Sequence, residues 1–187
     1  MGWREGCASV KQILRVSAVL ATAALAAGCF QPLYGTSSDP NHPGVRDALA
    51  AVDVLQIDAA ANTSEARLAV QVRNDLLFNF TGGGNPNPPT HKLKIRLAGS
   101  RAVVSINRAT ALPEVELYDL KATYSLTEIA TGKVVVAGQM STNMSYDTLG
   151  QQRFARISGM HDAERRAAKV ISDNITSRLA SYFISGS

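Results

Sequence analysis

Three groups of residues in this sequence have the types and spacing for work beyond packing. Cys29 follows Leu25-Ala26-Ala27-Gly28, whose small side chains leave backbone and sulfur open to a modifying enzyme. Lys92, Lys94 and Arg96 alternate with Leu93, Ile95 and Leu97, so three cations project from one face of a strand. Together with Arg101 they could hold phosphate oxygens through charge-assisted hydrogen bonds; the bland alternative is a solvated, charged sheet face. Glu114 and Glu116 share a strand face by spacing and mimic an acid/base pair, though solvated charge is the commoner reading. The histidines, His42, His91 and His161, fall at no metal-ligand spacing. The Gly82-Gly83-Gly84 run lacks the Lys-Ser/Thr of a phosphate loop, and no nucleophile elbow occurs. No catalytic residue, metal or cofactor is assigned, and a non-enzymatic protein is expected.

The thiol is positioned by what precedes it. Arg4, Lys11 and Arg15 lead into an uncharged, mostly apolar run from Val16 to Ala27. At about a dozen residues this run has the length of an export-signal core and is shorter than the roughly 20 needed to span a bilayer. Residues 1–28 therefore read as a removable signal. The cysteine after Gly28 resembles the lipobox of bacterial lipoproteins, with Leu25 four residues ahead and Ala26 in the usual leucine position. Two or three fatty acyl chains on Cys29, of the palmitate kind, would anchor the mature chain stably, because each buried methylene contributes about 0.8 kcal/mol. The next residue is Phe30 and not an aspartate, which resembles outer-membrane rather than inner-membrane sorting.

Composition excludes several classes. The 187-residue chain carries a net charge of +4, and the signal accounts for half of that excess, so no basic stripe for nucleic acid is expected. Cys7 leaves with the signal and Cys29 takes lipid, so packing alone must stabilise the exported domain.

Periodicity supplies the elements. Residues 29–50, including the Pro/Gly-rich Thr36 to Gly44, read as anchor and tether, and 51–187 as one domain. Val52 to Asp58 reads as a strand with Val52, Val54 and Ile57 on one side. Asn62, Thr63 and Ser64 offer a helix N-cap, and Leu68, Ala69, Val72, Leu76 and Phe80 form the stripe of the helix that follows. The run from Gly82 to Pro89 ends it. A strand from His91 is expected to bend or bulge at Gly99-Ser100 before resuming at Val103. A second strand from about Val115 to Ile129 turns at Ala130-Thr131-Gly132-Lys133, and Val134, Val136, Met140, Met144 and Tyr146 continue on the return strand. The tail from about Gln151 to Phe183 reads as helix, with a break near Gly159 and Asp162 capping its second half. The order β-α-β-β-β-α predicts an α+β two-layer sandwich, a four-stranded, mainly antiparallel sheet with two helices on one face.

Elements in this order behind such a cysteine resemble the lipopolysaccharide-assembly lipoprotein family LptE. The likeness is carried by Gly28-Cys29-Phe30-Gln31-Pro32-Leu33-Tyr34-Gly35, by Val72-Arg73-Asn74-Asp75-Leu76, by Tyr124-Ser125-Leu126 through Lys133-Val134-Val135, and by Ser145-Tyr146 with the alanine-rich tail. The family commonly has a glycine between cysteine and aromatic that is absent here. The resemblance implies a plug and assembly partner inside the LptD barrel that inserts lipopolysaccharide into the outer leaflet, and it implies lipopolysaccharide as a ligand. The rival expectation is an outer-membrane lipoprotein with another task, such as binding peptidoglycan or helping a different barrel fold.

Overall fold

The computed structural model describes residues 44–59, 62–148 and 153–185. The signal, Cys29, His42 and most of the expected tether lie outside the described residues. The chain runs α1 (Val45–Ala50), β1 (Val52–Val54), α2 (Ser64–Thr81), β2 (His91–Ile106), β3 (Pro113–Glu128), β4 (Val134–Asp147) and α3 (Arg153–Ser185). The sheet order is β1-β2-β3-β4; β1 pairs parallel to β2, and the other two pairs are antiparallel. The α+β sandwich is as expected, with a third helix added.

Helix α1 corrects the boundary drawn at residue 51. Six residues are too few to show a period, yet Leu49 at its centre is buried in the core and Val45 packs beside it. Asn87 ties the glycine- and proline-rich loop to this helix: its backbone N–H donates to Ala50 O, and its amide to Asp47 O. The domain thus begins at least at Val45.

Helix α2 follows its local rules closely. The Ala66 N–H donates to Thr63 Oγ1 at 3.2 Å, closing the N-terminus, and Gly82 ends the helix at φ 62°, a left-handed conformation that glycine adopts without a Cβ clash. Its buried residues are Leu68, Ala69, Val72, Leu76 and Phe80. Burying such side chains contributes about 1.5–3 kcal/mol for each large one, which anchors α2 on the sheet far more firmly than helix propensity does.

Strand β1 is shorter than expected, ending at Val54, although Leu55 N still donates to Leu93 O and Ile57 is buried. Strand β2 runs unbroken through Gly99 and Ser100, and the register shift falls instead between Val103 and Ser105. The glycine serves a cross-strand neighbour: a Cβ at Gly99 would collide with the Tyr118 hydroxyl. Gly138 does the same for Tyr124, whose hydroxyl lies 2.8 Å from where a Cβ would stand. A second register shift falls near Leu126 and Thr127, and Val134 beside it is exposed.

Helix α3 is continuous for 33 residues. Gly159 does not break it; the helix rests there against Tyr146, where a Cβ would lie 3.8 Å from that ring. Asp162 pairs with Arg165 and Arg166 along the helix, and these hydrogen bonds hold its carboxyl below the usual range. Helix α2 packs over β1 and β2 and α3 over β3 and β4, with the helices touching each other. None of the described helices packs on the opposite sheet face.

Candidate functional site

The alternation that builds β2 also sorts its side chains. Leu93 and Ile95 are buried beneath the helices, while Lys92, Lys94 and Arg96 stand exposed on the open face. Across the ladder they face Thr127, Ser125 and Thr123 of β3. Lys94 and Arg96 border a shallow depression floored by Ala137 and Gly138 and rimmed by Thr123, Ser125 and Gln139. None of the ion pairs between described residues involves these three cations. Two cations, two hydroxyls and one amide can hold an anion or a sugar here, and Tyr124 lines the depression beneath them.

Arg101 does not belong to this row. With no bulge at Gly99 the period of two continues, so an odd-numbered residue lies on the helix side of the strand. Its guanidinium sits 3.1 Å from the Met160 sulfur of α3.

A second surface was not anticipated. At the far end of the β2–β3 hairpin Val103, Val104, Ile106 and Leu112 are at least half exposed, Val104 at 62% and Ile106 at 59%. Phe154, exposed at 82%, belongs to the first turn of α3, which Arg156 fastens to Glu116, the partner of Val103 in the same hairpin. From Arg101 to Leu112 there are two arginines, Arg101 and Arg108, and no carboxylate. The tip is firmly built. Asn107 Oδ1 accepts from the N–H groups of Ala109 and Thr110, and its amide donates to Glu114 Oε1 at 2.7 Å. Apolar residues clustered at a turn are the sequence signal that could have found this surface.

Glu114 and Glu116 share a strand face as expected, but they do not act as a pair. Glu114 braces the tip through Ser105 and Asn107. Glu116 is buried and correctly partnered: the Tyr146 hydroxyl donates to one oxygen and Arg156 to the other. Burial first, then the hydrogen bond to Glu116, pushes the Tyr146 phenol up to about 12. A similar bridge joins the helices, where Arg67 of α2 and His161 of α3 both contact the buried Glu164, at 3.2 and 3.1 Å. His91 lies at the other end of the sheet, edge-on to Phe183, and burial lowers its pKa.

No family model matches the chain, and no curated protein matches it either. Solved structures match in fold. A chain described as a lipoprotein from Caulobacter crescentus superposes with a TM-score of 0.55 at 18% identity, over 77% of this chain and 98% of that one. At 9–18% identity these likenesses define a class of architecture, a helix-covered mixed sheet found among bacterial lipoproteins, and not a task. One member is rare lipoprotein B from Shewanella oneidensis, with a TM-score of 0.53, 12% identity, and 72% and 96% of the two chains covered. Another is a neuraminyllactose-binding hemagglutinin homologue from Helicobacter pylori, with a TM-score of 0.54, 9% identity, and 84% and 93% covered. Among the described residues no helix is long and apolar enough to cross a membrane.

Proposed function

We propose that this chain is an outer-membrane lipoprotein, acylated at Cys29, that seats in the lipopolysaccharide-exporting LptD barrel as its plug and assembly partner. The observation that carries the reading is a lipobox-like cysteine placed ahead of a domain with the fold of rare lipoprotein B, which is LptE under another name. A plug must be compact and polar outside, because a barrel lumen is polar. The open face with Lys92, Lys94 and Arg96 meets that need.

Lipopolysaccharide is an anionic amphiphile, and the two exposed surfaces suit its two halves. The basic face offers cations and hydroxyls for phosphates and sugars; the tip offers Val104, Ile106 and Leu112 for acyl chains with Arg108 beside them.

The test is purification from outer membranes in detergent. The barrel should accompany this protein at near-equal amounts, and mass spectrometry should find fatty acid on Cys29. Isolation with another barrel or with peptidoglycan would replace the reading by the rival one, for which the likeness to the hemagglutinin homologue leaves room. Depletion that leaves surface glycolipid export untouched would end it.

A further inference from the structure

Sulfur open to oxidation is scarce in this chain. Cys7 falls in the expected signal and Cys29 is the expected lipid acceptor, so the exported domain keeps Met140, Met144 and Met160 as its oxidisable sulfurs. All three are half-buried against the core, Met140 and Met144 from β4 and Met160 from α3. Burial does not separate them.

Hydrogen bonding does. Arg101 Nη1 of β2 donates to the Met160 sulfur at 3.1 Å, and Arg166 Nη1 of α3 donates to the Met144 sulfur at 3.5 Å. Arg166 is held over Met144 by two further bonds, from Nε to Asp162 Oδ2 at 2.8 Å and from Nη2 to Ser145 O at 3.1 Å. The Met140 sulfur takes no hydrogen bond among the described residues. Its strand carries no charged residue from Val134 to Tyr146, and across the ladder it faces Ala122.

A hydroperoxide oxidises a thioether by two electrons. The sulfur lone pair attacks one peroxide oxygen, the O–O bond breaks, and the departing hydroxide takes the proton of the transferred oxygen and leaves as water; the thioether becomes a sulfoxide. Positive charge builds on sulfur as its electrons leave. A guanidinium N–H already on the lone pair opposes this twice, because it occupies the electrons under attack and sets a cation beside the growing charge.

We infer that Met140 is this domain's site of oxidation by hydroperoxides, and that Arg101 and Arg166 shield Met160 and Met144. The product is a polar sulfoxide on the helix-covered face, opposite the fully buried Ala122, where it loosens the packing of α3 on β4. A reductase of the methionine sulfoxide class would restore the thioether. This chemistry is independent of the export role, and either can fail without the other.

The experiment treats the full mature chain in detergent with dilute hydrogen peroxide and follows each methionine peptide by mass spectrometry. Met140 should oxidise at least about fivefold faster than Met144 and Met160. Arg101→Leu and Arg166→Leu keep bulk over the sulfur but remove the N–H. They should speed Met160 and Met144 respectively by at least about threefold and leave Met140 as it was. Thermal unfolding confirms that each variant is folded. In concentrated urea the three rates of the unsubstituted chain should converge, a result that needs no variant. Peroxide should lower the thermal midpoint of the unsubstituted chain and spare that of Met140→Leu. Equal rates in the folded chain, a preference that survives urea, or leucine variants that leave Met144 and Met160 slow would each overturn the inference.

Discussion

On the helix-covered face of the sheet Leu93, Ile95, Leu120, Ala122 and Leu126 are buried, whereas one residue along on β2 or β3 Lys92, Lys94, Arg96, Thr123 and Ser125 face the open side. The backbone is the same; only the direction of each side chain differs. The packed face has its glycines matched to tyrosine rings and its buried Glu116 matched to Tyr146 and Arg156. The open face has short hydroxyl side chains and cations with no ion pair among the described residues. Stability therefore resides on one side of the sheet and exposed polar groups on the other.

The sharpest way to break this contrast is to empty the packed face. Leu120→Ala should lose about 3 kcal/mol, in the usual range for a fully buried leucine, as a lower midpoint in urea. Close behind comes Gly99→Val, which drives a side chain into the Tyr118 phenol and should cost about 1–3 kcal/mol as overpacking. Tyr118→Phe alone should change little, because that hydroxyl is buried with no hydrogen-bond partner, and in combination with Gly99→Val it should return part of the loss.

Alkali probes the same face without mutation. Burial raises both Tyr118 and Tyr146 to about 12, above the ordinary 10, so the folded protein keeps two protons that the unfolded chain has lost. That stability is complete below pH 10 and is lost as pH climbs through 12, up to about 2 kcal/mol per tyrosine. Unfolding midpoints measured from pH 9 to 12 should fall steeply, and the slope should shrink in Tyr146→Phe. The smallest effect on stability belongs to the open face. Lys92→Glu with Lys94→Glu should shift unfolding by less than about 0.5 kcal/mol yet weaken lipopolysaccharide pull-down. A tip variant, Val104→Asp with Ile106→Asp, compared in the same pull-down, sharpens the assignment of phosphates to one surface and acyl chains to the other.

Much of this division is legible from residue order because it is local. A period of two placed Tyr118, Leu120, Ala122, Tyr124 and Leu126 on one side, and a period of three to four placed Leu68 through Phe80 on one stripe. Glycine was the residue type that misled. Gly99 suggested a bend, yet it stands where the Tyr118 ring must come close, a reason that exists only once the neighbour is known, and Gly159 suggested a break, yet the helix runs through it. Arg101 was misplaced for the same cause, since an imagined bulge at Gly99 would have moved it to the other face.

What the sequence determines unaided is therefore the element types, the caps, the buried stripes and the alternation that sends Lys92, Lys94 and Arg96 outward, each set by residues within a turn or two of one another. What tertiary structure decides is the rest. Leu49 joins the core from a helix too short to announce itself, and Arg156 reaches Glu116 across 40 residues. Phe154 lies in the first turn of the helix that this bridge fastens to the sheet, and β4 stands at one edge of the described sheet. Those outcomes depend on which surfaces meet, and a meeting between distant segments has no period along the chain from which it could be read.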